Sequence, residues 1–113
     1  MFSKQILSSL IETCETDITL VKELMENCVA ASVTDVMSVI LTKLENIFRE
    51  INQKTNYEQS LKELTELKED IKRERIFRCF TKTKETEEIR SYLEIATKMV
   101  LIYCNYLIET KLH

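Results

Sequence analysis

The chain has 113 residues, with 16 Lys and Arg against 19 Asp and Glu for a net charge of −3, and 44% of its residues are hydrophobic. It contains no Gly, no Pro, no Trp, a single His and four Cys, which excludes a glycine-rich phosphate loop and deprives β corners of their usual residues. The expectation is one all-α domain over 1–113, an antiparallel bundle of about four long helices at roughly 3–28, 33–53, 56–80 and 84–112, with the last the most hydrophobic.

The first segment places Leu7, Ile11, Cys14, Ile18, Val21, Met25 and Cys28 at alternating spacings of four and three, an unbroken heptad stripe. Ser3 is the N-cap candidate. Thr16 and Asp17 also resemble a cap, but the stripe keeps its phase across them, so one helix is expected. Ser32 and Asp35 resemble a capping box for the second helix. Its stripe is Val33, Met37, Ile40, Leu44, Ile47 and Ile51, thickened by Leu41 and Phe48.

Thr55 and Glu58 form the clearest capping box in the chain, and Tyr57, Leu61, Leu64, Leu67 and Ile71 follow on one face. After Lys72–Arg75 the apolar residues resume out of phase, at Ile76, Phe77 and Phe80. Thr81 and Thr83 offer the next cap, with Glu85, Glu87 and Glu88 suited to the positive end of a helix dipole.

The last helix carries a core stripe at Ile89, Tyr92, Ala96, Met99, Tyr103 and Tyr106, widened by Leu93, Ile95, Val100, Ile102, Cys104 and Leu107. The line expected to face outward is Arg90, Glu94, Thr97, Leu101, Asn105 and Ile108, which begins polar and turns apolar. A helix apolar on all sides is ordinarily buried on all sides. Two explanations stand: the helix lies at the centre of the fold, or its outer face is kept for a second copy or a partner. On the second, Glu94, Thr97, Leu101, Asn105 and Ile108 are the partner-binding residues, with Asn105 either setting register or facing water.

No catalytic constellation is legible. His113 is the only His and stands last, so Cys–His and Ser–His pairs and the Glu-x-x-His pattern of di-iron bundles have no support. The abundant carboxylates read as a solvated surface. Neither cofactor nor metal is expected. Charge is uneven: residues 61–84 carry eight bases and five acids. There Lys72, Arg73, Arg75, Arg78, Lys82 and Lys84 form a basic strip. It reads either as cations at a helix C-terminus or as a nucleic-acid or other polyanion site.

The longest apolar run, Met99–Cys104, is far shorter than the ~20 residues of a membrane span, and no signal-peptide core leads the chain. Cys14, Cys28, Cys79 and Cys104 are too widely spaced for a zinc or redox pair and read as reduced, buried thiols. An intracellular, cytoplasmic or nuclear protein is expected. The sequence favours a non-enzymatic helical interaction module, an adaptor or a regulatory or assembly subunit, self-associating or binding a protein partner through the last helix. The alternative is a small polyanion binder using 72–84.

Overall fold

The computed structural model describes residues 4–27, 31–53, 56–73 and 84–111. Four helices make up almost all of them: α1 (Lys4–Glu26), α2 (Ala31–Asn52), α3 (Tyr57–Arg73) and α4 (Lys84–Lys111). They pack against one another as an elongated all-α bundle of 48 × 23 × 18 Å. α4 packs most extensively on α1 and α3, while α2 lies against α3 and, less extensively, against α1 and α4.

The four elements and their order are those the periodicity predicts. α1 runs unbroken through Thr16 and Asp17 and buries Cys14, Ile18, Val21 and Met25, the middle of the expected heptad stripe. α2 begins at Ala31, two residues earlier than expected, and buries Met37, Ile40, Leu41, Leu44, Ile47, Phe48 and Ile51. Side chains of α1, α2, α3 and α4 join in one core cluster. The expected extension of the third helix to residue 80, with Phe77 and Phe80, lies outside the described residues, as do Cys28 and Cys79.

A chain without glycine still needs a reversal between α2 and α3. The Gln53 amide closes α2 by donating to the carbonyls of both Arg49 and Glu50, each at 3.1 Å. Asn56 then takes a positive φ of 47°, the left-handed region that Asn tolerates better than most residues. Its carbonyl accepts the Ser60 amide at 3.0 Å, so α3 starts after Asn56. Thr55, the expected cap, lies outside the described residues.

α3 is rotated slightly from its expected face. It buries Ser60, Leu64, Leu67 and Ile71, while Tyr57 and Leu61 are half-buried beside the core. Heptad counting passes over Ser60 because its side chain is polar. Its Oγ is enclosed without a hydrogen-bond partner. A buried hydroxyl without a partner is destabilising, and Ala is also the better helix former. Ser60→Ala should therefore raise unfolding free energy by about 1 kcal/mol, read as a higher urea midpoint at unchanged slope. A lower midpoint would show that the hydroxyl has a stabilising role.

Candidate interaction surface

α4 determines which surfaces the bundle leaves open. Its buried residues are Ile89, Leu93, Ala96, Thr97, Val100, Tyr103, Cys104 and Leu107. Two long-range hydrogen bonds set this rotation. The Tyr103 hydroxyl donates to Asn52 Oδ1 of α2 at 2.6 Å, and the Cys104 thiol donates to the Tyr57 carbonyl of α3 at 3.4 Å. The Tyr103 ring also meets Phe48 of α2, with centroids 5.8 Å apart and planes tilted by 60°.

These contacts turn the helix relative to the sequence reading. Thr97, expected on the outer line, is 0% exposed. Its hydroxyl tolerates burial because it donates to the Leu93 carbonyl one turn back, at 2.8 Å. Leu101 and Ile108 are half-buried and packed against the core, on the flank that Cys104 turns toward α3. Arg90 and Glu94 share that flank, with Arg90 Nε 3.4 Å from Glu94 Oε1. Both are half-buried, with long stems that can cover apolar surface while their heads reach water. Among the expected partner-binding residues, Asn105 alone is exposed.

The outermost line is instead Glu88, Ser91, Ile95, Lys98, Ile102, Asn105 and Glu109, every one exposed. The helix is therefore not enclosed at the centre of the fold. Two large apolar side chains stand on this line, Ile95 at 48% and Ile102 at 42% exposed, seven residues apart and so nearly stacked along the helix. The sequence pattern places both in the core. The signal that could have placed them is the company they keep, since every other position at that spacing is polar or small.

The neighbouring helix extends this surface. On α1, Glu15, Ile18, Thr19 and Lys22 border α2, and Lys22 Nζ lies 2.9 Å from Glu45 Oε2. Helical geometry places Leu10, Thr13, Asp17, Leu20 and Leu24 on the opposite flank, against α4, and all five are half-buried. Burial pushes the Asp17 carboxyl above its ordinary range. Tyr92, Met99 and Tyr106, half-buried on the α1-facing flank of α4, complete the strip. Val39 and Ile6 are exposed elsewhere, as isolated apolar residues commonly are.

Beneath the strip lies a buried group of thiols and phenols. Burial, aided by Asp17 and Glu15, raises Cys14 to about 12. Burial, then Tyr57, Cys14 and Cys104, raise Tyr103 to about 12. Cys104 and Tyr57 are also raised, chiefly by burial. Cys14 and Cys104 are free thiols, held in the protonated, poorly nucleophilic form.

In the basic strip, Lys72 and Arg73 are exposed at the end of α3, with an Arg73 guanidinium nitrogen 3.7 Å from Glu69 Oε2. Of the rest, Arg75, Arg78 and Lys82 lie outside the described residues, and the Lys84 side chain is likewise not described. Farther back on α3, Glu63, Glu66 and Asp70 line a groove with Lys43, Asn46 and Glu50 of α2, so the described surface leading to Lys72 is acidic.

Among the described residues, no group of three or more His, Cys, Asp or Glu is placed to hold a metal ion, and no helix is long and apolar enough to cross a membrane. No protein-family model, curated protein or solved structure matches the chain.

Proposed function

We propose that the protein is a non-enzymatic helical interaction module, an adaptor or a regulatory or assembly subunit, that engages another protein surface through the outer side of α4. The carrying observation is the pair Ile95 and Ile102, both exposed on the otherwise polar outermost line of α4. Covering the half of each side chain that is still exposed is worth on the order of 1 kcal/mol, and anchors at helical spacing are the usual means by which helix faces dock. The half-buried Leu10, Leu20 and Leu24 of α1 widen the apolar strip beyond one helix. Two free, buried thiols support a reducing compartment, the cytoplasm or nucleus.

The test is the double variant Ile95→Glu with Ile102→Lys. Both positions are exposed and both replacements favour helix, so the thermal melt should stay close to that of the unmodified protein. Light scattering across a concentration series, and co-purification from the protein's own cells, should show an assembly that the unmodified protein forms and the variant loses. A variant that keeps every assembly would overturn the reading, and so would an unmodified protein that forms none.

A further inference from the structure

Resting on the reading above, we propose that the occupant of the α1–α4 face is a basic amphipathic helix of another protein. Its apolar stripe lies along the seam between the two helices, and its Lys or Arg edge lies over α1.

The seat is apolar and shaped for a helix. Tyr92, Met99 and Tyr106 recur every seven residues and so stand in line on the flank of α4 that faces α1. Ile95 and Ile102 stand beside that line on its outer side, and Leu10, Leu20 and Leu24 approach it from α1. All but the two isoleucines are half-buried, which leaves part of each side chain open along the seam. Tyr and Met are among the residues enriched where proteins meet, and a third helix resting on two others at roughly 8–10 Å covers such a seam. α4 has 28 residues, so a partner helix of about 20 residues, roughly 30 Å long, fits within it.

The charges around the seat name the partner's chemistry. On α1, the surface beyond Leu20 passes through Thr16 to Glu12 and Glu23, and all three are exposed. Glu15, Thr16, Thr19, Leu20 and Glu23 line a shallow recess there, in which a Lys or Arg stem can rest on Leu20 while its head meets a carboxylate. Toward the ends of α4, Glu88 and Glu109 are exposed, and Asp17 is half-buried in the seam itself. Lys98, on the far margin of α4, is the one cation bordering the seat among the described residues. Lys22 and Arg90 are held by Glu45 and Glu94 on other flanks of their helices.

A second copy docking by the same face opposes these carboxylates to their own kind, which disfavours it. A basic helix neutralises them instead. Its cations also serve the Asp17 carboxyl, already raised by burial, which an uncharged partner covers only at a cost.

Isothermal titration of the full chain with two synthetic helices decides the matter, with thermal melts confirming that each variant is folded. Both helices are about 20 residues long with leucines at i, i+3, i+4 and i+7; one carries Lys at its polar positions and the other Glu. The Lys helix should bind, and the Glu helix should bind at least about tenfold more weakly. Raising NaCl from about 50 to about 300 mM should weaken the Lys helix several-fold. Glu12→Gln with Glu23→Gln should weaken it by about threefold or more and reduce that salt dependence. Glu66→Gln with Asp70→Asn, in the α2–α3 groove, should leave it unchanged. Ile95→Glu with Ile102→Lys, which keeps the net charge, should abolish binding.

Equal binding of the two helices, or binding of neither, overturns the basic-helix assignment. The α4 docking reading is then decided separately, by whether Ile95→Glu with Ile102→Lys loses the assembly captured from the protein's own cells. A Lys helix that binds this double variant as well as the unmodified chain sits elsewhere and overturns the assignment. So does one that the α2–α3 groove variant weakens and the α1 variant does not. A chain that self-associates through Ile95 and Ile102 overturns it in favour of a second copy.

Discussion

Thr97→Glu should unfold the protein under conditions in which Ile95→Glu leaves it intact, although the two residues are two positions apart on one helix. Thr97 is fully enclosed and its hydroxyl is satisfied within α4. The neighbouring buried positions of α4, Leu93, Ala96, Val100 and Cys104, carry no charge that could pair with a carboxylate there. An unpaired charge at such a site costs several kcal/mol, against a total stability of about 5–15 kcal/mol for a typical domain. Ile95 points into water, where a replacement costs within about 0.5 kcal/mol. Circular dichroism melts of the two variants measure the difference. Leu101→Glu with Ile108→Lys should fall between them, because both residues are half-buried against the core. A Thr97→Glu protein that melts like the unmodified one would mean that α4 faces the core with a different side.

Raising the pH should destabilise the fold steeply above about pH 9. Cys14 is held up from 9.0 to about 12 and Tyr103 from 10.0 to about 12. In the unfolded chain both groups lose their protons near the ordinary values, while the folded chain retains them. Above pH 9 the unfolded state therefore binds fewer protons, and stability falls with pH until the folded groups titrate as well. Below pH 9 neither group contributes a slope. For Cys14 alone, a displacement of three units corresponds to about 4 kcal/mol lost between pH 9 and 12. Tyr103 adds to the loss, and part of its displacement comes from Cys14 itself. Its ionisation has a second consequence: the hydroxyl donates to Asn52 Oδ1, and a phenolate facing that acceptor oxygen has no proton to share. Urea unfolding at pH 8, 9.5, 10.5 and 11 should show the decline, and Cys14→Ala should flatten it. Stability unchanged to pH 11 would contradict the burial of this group.

Much of this architecture was legible in the sequence, for reasons visible at particular residues. α1 and α2 each have one apolar stripe and one polar side, so the hydrophobic effect specifies both the helix and its rotation, and Cys14, Ile18, Val21 and Met25 were readable as core. The absence of Gly and Pro left few alternatives to long helices joined by short connections. What the sequence did not determine was the rotation of α4. That helix has apolar residues around most of its circumference, so turning it by about half a residue step changes little in buried apolar area. Local pattern therefore could not distinguish Tyr92, Met99 and Tyr106 from Leu93, Val100 and Leu107 as the inner line. The choice was made by contacts distant in sequence: Tyr103 with Asn52 and Phe48, and Cys104 with the Tyr57 carbonyl. Each satisfies or packs a group contributed by another helix, and together they turn Thr97 inward and leave Ile95 and Ile102 in water.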